Sequence, residues 1–307
     1  MPQQGPGSAI GRARRPADEP REVTVSGLVD LSTSIGACPV ERSVLAVSGP
    51  DAEDFLQGQL SQDVAALEPG QSAWSLILQP QGRIDAFVRV TRQAPIRFVL
   101  DTDGPLEQVD ARLRRFMLRT DVVLEPLDWQ CIAVRGPGAE DAAVAGEIVA
   151  AVPTGGVDVL GPDPAVPGDV PAVDSEALEA HRIRSGLPRM GVDIDDRTIP
   201  AEAEIVDFTV SFTKGCFTGQ ELVARMDSRG SSAPRYLRLL TLEEQVGLDG
   251  GEPIIDAGGA EVGTVTSTAW DVIAGATVAL GYIKRSVDMP AEVVVAGCPA
   301  QAGAVPR

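Results

Sequence analysis

The stretch Lys214-Gly215-Cys216-Phe217-Thr218-Gly219-Gln220-Glu221 places an ammonium, a thiol, two glycines and a carboxylate within eight residues. Arginine is the usual basic residue of this chain, which has only two lysines, Lys214 and Lys284. The planar fork of an arginine does not replace the compact ammonium of a lysine. A lysine retained at this position therefore indicates a requirement for the ammonium itself.

The residues on either side of the motif predict its local structure. Residues 204–212 are rich in β-branched and aromatic side chains and predict a strand. Residues 220–226 predict a short helix, with Thr218 as its N-cap and Glu221 completing a capping box. Phe217 and Leu222 have the spacing of a hydrophobic staple. Gly215 and Gly219 would allow a tight turn or the close approach of a ligand.

Cys216 is the candidate reactive residue of the motif. A cationic neighbour, Lys214, and a helix N-terminus each favour a thiolate over a thiol. Two interpretations stay open: a reactive thiol, or a buried and inert core residue, which a free cysteine often is. A dyad of Cys216 with the single histidine, His181, has no local support in the sequence; His181 is expected on a helix over 175–185.

The rest of the chain predicts an α+β fold followed by a β domain. Residues 1–24 are rich in Pro, Gly and Arg and predict a disordered tail. We expect an α+β domain over 25–230, a β-barrel over 231–298 and a flexible tail over 299–307. The expected α+β elements are strands at 43–47, 72–78, 83–90 and 95–100, and helices at 51–60, 106–119 and 139–151. The expected barrel strands are 236–242, 253–256, 261–267, 277–283 and 291–295.

Composition excludes several classes of function. The net charge of −18 argues against broad electrostatic binding of nucleic acid or anionic membranes. No apolar run approaches the length that spans a bilayer. The four cysteines, Cys38, Cys131, Cys216 and Cys298, form no C-x-x-C pair, so neither a metal site nor a disulfide framework is predicted. We therefore expect a monomer in a reducing cytoplasm.

The motif, with Leu222-Val223-Ala224-Arg225 and Arg229-Gly230 after it, resembles the signature of the YgfZ family of folate-binding proteins. That family usually has Tyr where this chain has Phe217. Its mitochondrial relatives act in iron–sulfur cluster maturation, and the resemblance also implies a link to tRNA modification. Similarity extends over about residues 28 to 287, through segments at 47–52, 55–59, 79–84, 183–188, 193–194 and 199–202.

The resemblance implies a ring of three subdomains, like the aminomethyltransferase of the glycine cleavage system. Two interleaved subdomains would bind tetrahydrofolate in a central channel, and a C-terminal β-barrel would complete the ring. Cys216 would face that channel, and Lys214 would stabilise its thiolate or neutralise an anionic ligand. Glu202 would accept hydrogen bonds from the pterin ring, and Arg225 would meet the glutamate tail. The remaining residues expected at the folate site are Asp85, Gly215, Phe217, Gly219, Gln220 and Glu221.

The leading hypothesis is a tetrahydrofolate-binding protein that supports iron–sulfur cluster assembly or repair, with iron–sulfur client or assembly proteins as partners. The main alternative is a folate-dependent aminomethyltransferase, because fold alone does not separate the two. By resemblance, the second catalytic carboxylate of the transferase falls on Ala86, although a shift in register would place Asp85 there. A third alternative is a pure interaction module whose stability does not respond to folate.

Overall fold

The computed structural model describes residues 29–228 and 233–306, which form two antiparallel sheets and a closed barrel. The predicted disordered tail, residues 1–24, lies outside the described residues. The fold is the predicted α+β architecture with a C-terminal β-barrel.

The first sheet has five strands in the order β3-β4-β5-β2-β6. Hydrophobic and β-branched residues dominate these strands, and the side chains that face the helices form one core with Leu45, Val88 and Phe98 fully or almost fully buried. Two helices cover that face. The strands are β2 (Ser43–Ser48), β3 (Ser72–Leu78), β4 (Ile84–Ala94), β5 (Arg97–Thr102) and β6 (Val123–Leu127), and the helices are α1 (Ala52–Gln59) and α2 (Leu106–Arg114).

The second sheet has four strands in the order β1-β7-β9-β8. Its first strand precedes the whole five-stranded sheet in sequence, and its other three follow that sheet, so the chain leaves this sheet and returns to it. The strands are β1 (Gly36–Val40), β7 (Gln130–Arg135), β8 (Ile148–Ala151) and β9 (Val157–Gly161).

Buried charges join the two sheets. Arg89 of β4 is fully buried and donates two hydrogen bonds to Asp101 of β5, at 3.0 and 2.9 Å. Its third contact is with Asp158 of β9 in the other sheet, at 2.8 Å. Arg42 also donates to Asp101, and Arg135 to Asp158. Burial by itself would raise the pKa of Asp158, but Arg135, Arg89 and Arg42 hold it well below its usual range.

The barrel closes with six strands in the order β10-β13-β12-β11-β14-β15. Five of them were predicted, and the sixth corrects the predicted boundary at residue 298, because Cys298–Ala304 pairs with both β14 and β10. Residues 299–304 are therefore barrel strand. The strands are β10 (Arg235–Leu242), β11 (Pro253–Asp256), β12 (Glu261–Asp271), β13 (Ala276–Lys284), β14 (Ala291–Val295) and β15 (Cys298–Ala304).

Two other predicted elements are wrong. Instead of a helix, residues 139–151 form a short 3₁₀ turn (Ala139–Asp141) and the strand β8, which pairs with β9. Instead of a strand, residues 204–212 contain the short helix α4 (Val206–Thr209). The Thr209 hydroxyl donates to the carbonyl of Ile205 at 2.6 Å, a local bond that a strand would not allow. Strand pairing overrides helix propensity in the first segment, and local bonding overrides β propensity in the second.

Two further helices complete the structure. The helix α3 (Ser175–Arg184) carries His181, as predicted, and packs against the barrel strands β12 and β13 and against β1. The helix α5 (Gln220–Ser228) follows the motif, as predicted. The predicted helix over 106–119 ends earlier, at Arg114. Among the described helices, none has the length and apolar character needed to cross a membrane.

Candidate functional site

Lys214 is buried and ties the motif to the C-terminal end of α1. Its ammonium donates to the carbonyls of Gln57, Leu60 and Gln62, at 2.7, 2.8 and 2.8 Å. A cation at a helix C-terminus satisfies carbonyls that lack partners within the helix. Burial lowers the pKa of Lys214 to about 8, against a weaker opposing effect of Asp63.

The Lys214 ammonium therefore has no N–H group left to donate to Cys216, and its expected role in stabilising the Cys216 thiolate or neutralising an anionic ligand stays a prediction. An ammonium has three N–H donors, and backbone carbonyls accept from all three. Phe217 lies beside the same ammonium, with its ring centroid 5.3 Å from Nζ, and is buried in a core cluster. Lys214 and Phe217 thus anchor the loop on either side of Cys216.

Cys216 itself is exposed. It is not among the residues that line the two cavities described below, so its expected orientation into a folate channel stays a prediction. Cys38 and Cys131 are buried, and burial raises the pKa of both thiols. Cys216 is consequently the most exposed of the four cysteines, and a reagent or a partner protein can reach it directly.

Gly219 and Gly82 form a close contact between the motif and the turn that joins β3 to β4. Gly219 has φ +81°, and a Cβ there would lie 2.6 Å from the carbonyl oxygen of Gln79. A Cβ at Gly82, which has φ +71°, would lie 2.8 Å from the Leu222 side chain. Only glycine fits both positions without strain. Gly215, in contrast, borders open space.

The other predicted site residues make structural contacts. Glu221 is exposed and pairs with Arg225 at 2.6 Å, one turn along α5, while Gln220 is half-buried. Asp85 pairs with Arg112 of α2 at 3.1 Å. Ala86 is buried in the core of the first sheet. Glu202 is buried and accepts from Arg235 at 3.3 Å. Arg229 and Gly230 lie outside the described residues.

A central cavity of about 560 Å³ lies between the two sheets, α3 and residues 187–192. None of the ten predicted site residues lines it. A second cavity, of about 670 Å³, adjoins it at Thr154, His181 and Leu187 and is bordered by the end of the barrel domain at Val305 and Pro306. The polar and aromatic residues that line the first cavity include Arg42, Trp74, Asp103, Arg135, Asp158, Glu179, His181, Arg182 and Arg189.

One polar atom in this lining lacks a partner. The Oδ1 atom of Asp103 is buried and accepts no hydrogen bond from the described residues. Burial raises the pKa of this carboxyl, against smaller opposing effects of Arg42 and of the backbone N–H groups of Asp103 and Met190. Most arginines around it are already paired: Arg42 with Asp101, Arg135 with Asp158, and Arg182 with Glu179 and Asp193. Arg189, at the edge, is more exposed and contacts Glu179 at 3.4 Å.

Sequence reasoning missed this lining because its residues come from seven separate stretches of the chain: 39–42, 74, 103, 133–135, 152–158, 175–182 and 187–192. The available signal in the sequence was the family resemblance of segment 183–188, which overlaps residues 187–192, and of Asp193, which follows them. Arg182 was not recognised, although it joins α3 to residues 187–193 by hydrogen bonds to Leu187 and Asp193. Burial and lack of a partner, which distinguish Asp103, are visible only in the folded protein.

Comparisons with known proteins agree with the architecture. The family model of the GCVT N-terminal domain matches residues 35–149, and that of the glycine cleavage T-protein C-terminal barrel domain matches residues 235–307. The crystal structure of the glycine cleavage system aminomethyltransferase T from Bartonella henselae superposes with a TM-score of 0.74 and 23% identity, covering 90% of this chain and 87% of that chain. This likeness establishes the fold.

Curated relatives come from fungi and bacteria. The Mycosarcoma maydis protein named iron-sulfur cluster assembly factor IBA57 homolog, mitochondrial, is 30% identical over 231 residues, covering 64% of this chain but only 55% of the relative. The Klebsiella pneumoniae (strain 342) protein named tRNA-modifying protein YgfZ is 24% identical over 227 residues, covering 62% of this chain and 66% of the relative. The chain belongs to the family that comprises the YgfZ-type proteins and the aminomethyltransferase-like proteins of the glycine cleavage system.

Proposed function

We propose that this protein binds tetrahydrofolate in its central cavity and supports iron–sulfur cluster assembly or repair through the exposed thiol of Cys216. Folate binding is supported most by the Asp103 carboxylate oxygen Oδ1, which has no hydrogen-bond partner among the described residues and lies in a cavity of about 560 Å³. This volume lies in the range of small-molecule sites. The name of the fungal relative supports the role in iron–sulfur cluster assembly, and the name of the Klebsiella relative supports a link to tRNA modification.

The cavity has chemistry that fits a folate. The pterin ring carries an amino group and ring N–H donors, which Asp103 would accept. Arg189, the most exposed arginine of the lining and the one with the longest ion pair, would meet the carboxylates of the glutamate tail. Glu202 and Arg225, which the resemblance places at the folate, form ion pairs with Arg235 and Glu221.

Binding is tested by thermal unfolding with tetrahydrofolate. At a hundredfold excess over its Kd, the ligand adds about 2.7 kcal/mol to the free energy of unfolding, which raises Tm. Asp103→Ala should abolish the shift, and Arg197→Ala, at an exposed position outside the cavity lining, should keep it. An unchanged Tm of the wild-type protein at millimolar tetrahydrofolate would refute folate binding.

The thiol half is tested separately. Cys216→Ser is expected to keep the folate-dependent shift but to lose the ability to restore iron–sulfur enzyme activity in a deletion strain. Alkylation followed by mass spectrometry should show Cys216 reacting faster than the buried Cys38 and Cys131. Full complementation by Cys216→Ser would remove the thiol from the proposal and leave folate binding intact.

The placement of Asp85 and Ala86 weighs against aminomethyl transfer. Neither residue lines the central cavity; Asp85 is paired with Arg112, and Ala86 lies in the core. We therefore expect no glycine-dependent methylene transfer when tetrahydrofolate and the lipoyl carrier protein are supplied. Turnover in that assay would establish the transferase instead.

A further inference from the structure

His181 lies where several cavities of the protein meet. It lines the central cavity and the second cavity, which adjoin each other at this residue. It also lines two smaller cavities, of about 420 and 320 Å³. No other described residue borders all four of these cavities. A ligand that extends from the central cavity toward the others would therefore pass the single histidine of the chain.

The imidazole of His181 has no hydrogen-bond partner among the described residues. Its backbone carbonyl accepts from the N–H and the hydroxyl of Ser185, at 3.0 and 2.7 Å, so α3 fixes the backbone of this residue and leaves its ring unbonded. The other titratable residues of α3 that line the two adjoining cavities all form ion pairs; they are Glu179, Arg182 and Arg184. His181 thus differs from its neighbours on the same helix in having polar atoms that no described protein group satisfies.

The surroundings keep this imidazole neutral. Burial is the main cause that lowers its pKa to about 4, and the guanidinium groups of Arg135 and Arg184 lower the pKa further. The carboxylates of Asp30 and Asp271 have smaller opposing effects. A neutral imidazole carries one N–H donor and one acceptor nitrogen. It therefore matches a neutral ligand group that has both kinds of atom, such as an amide.

We propose that His181 binds the amide that joins the benzoyl and glutamate parts of tetrahydrofolate, at the point where the central cavity opens into the second cavity. This inference rests on the proposed folate site and adds a third contact to it. Asp103 would accept from the pterin ring at one end of the ligand, and Arg189 would meet the carboxylates at the other. The amide lies between these two ends and offers one carbonyl and one N–H group.

The single histidine allows a direct test, because all imidazole NMR signals of the tag-free protein come from His181. We expect saturating tetrahydrofolate to shift the ring nitrogen signals, since a new hydrogen bond changes their environment. The compound 6-methyltetrahydropterin has the same pterin ring but no amide. It should raise Tm through the Asp103 contact and leave the His181 signals in place.

Variants of His181 give an independent measurement. His181→Phe keeps a planar ring but removes both polar atoms, and it should weaken tetrahydrofolate binding about tenfold, measured as Kd by fluorescence titration. His181→Gln restores a donor and an acceptor and should recover most of that loss. The loss in His181→Phe should be absent when 6-methyltetrahydropterin is the ligand, a difference that a purely structural role of His181 would not produce. Arg197→Ala, outside the cavity linings, is the control and should bind both ligands like the wild-type protein.

The outcomes separate this inference from the proposed function. A rise in Tm with tetrahydrofolate, together with unchanged His181 signals or an unchanged Kd in His181→Phe, would overturn the amide contact and leave folate binding intact. Equal shifts of the His181 signals with 6-methyltetrahydropterin would also overturn it. An unchanged Tm with tetrahydrofolate would refute folate binding itself, and this inference with it.

Discussion

The Lys214 ammonium donates hydrogen bonds to three backbone carbonyls at the C-terminal end of α1. We expect Lys214→Met to lower the free energy of unfolding by about 2–4 kcal/mol, because it leaves buried carbonyls without donors. Lys214→Arg should cost about 1–3 kcal/mol, because a planar fork does not direct three donors into one cluster of carbonyls. Urea unfolding measures both changes.

Lys284 is the matched control, since it is the second lysine of the chain and also donates to a backbone carbonyl, that of Glu261, at 2.8 Å. Lys284 is exposed, and this is its one hydrogen bond to a described residue. Lys284→Arg should therefore change stability by no more than about 0.5 kcal/mol. An equal loss at both lysines would show that the carbonyl cluster is not what distinguishes Lys214.

His181 gives a pH dependence at the residue scale. Burial, with Arg135 and Arg184 nearby, lowers its pKa to about 4 from 6.5 in the unfolded chain. The unfolded state then binds more protons than the folded state between these values, so the contribution of His181 is complete above pH 6.5 and is lost as pH falls toward 4. His181→Gln should reduce the stability lost between pH 7 and pH 4 by up to about 3 kcal/mol, measured by urea unfolding. Identical losses in both proteins would contradict this.

At the scale of elements, the contact of Gly219 with the β3–β4 turn predicts different costs for the two glycines of the motif. Gly219→Ala should destabilise by about 2–4 kcal/mol, because it combines a left-handed backbone with a clash against the Gln79 carbonyl. Gly215→Ala is the control within the motif, and its open surroundings predict a change within about 0.5 kcal/mol. Thermal unfolding of the two variants measures these changes in stability. An equal loss of stability in both variants would refute the close contact of Gly219 with the β3–β4 turn.

Most elements could be predicted because their side-chain pattern agrees with their final environment. Ser72–Leu78, Pro253–Asp256 and Ala291–Val295 were predicted to the residue. The last barrel strand was missed because Cys298–Ala304 has no β-branched residue and is defined by its two neighbours. Residues 139–151 are alanine-rich and were misread for the same reason, since pairing with β9 decides their structure.

The motif was found from sequence, but its contacts were not. The carbonyls that bind Lys214 lie more than 150 residues earlier in the chain, so no local pattern connects them. The cavity lining depends likewise on how the two sheets and α3 are arranged. The local sequence therefore predicts the loop around Cys216, whereas the cavity can be found only in the folded structure.

For the whole molecule, Arg89 is the charge that joins the two sheets. Arg89→Ala should cost about 3–5 kcal/mol, because Asp101 and Asp158 would each lose a buried partner. Arg97→Ala, which removes a partly exposed pair with Glu125 at 3.7 Å, should cost no more than about 1 kcal/mol. Denaturant unfolding of the two variants provides the comparison, and similar midpoints would mean that the sheets are held together by apolar packing alone.

The position of β1 in the chain has a consequence for biosynthesis. Gly36 pairs with Arg135, so about a hundred residues must leave the ribosome before β1 meets its partner. All five strands of the first sheet are made in that interval and can pair as they emerge. During this time β1 has an unpaired edge, the kind of segment that invites wrong pairing with other chains. A nascent chain stalled so that Leu127 has left the ribosome but β7 has not should therefore protect the first sheet from proteolysis, while residues 36–40 remain open to cleavage or to capture by a chaperone.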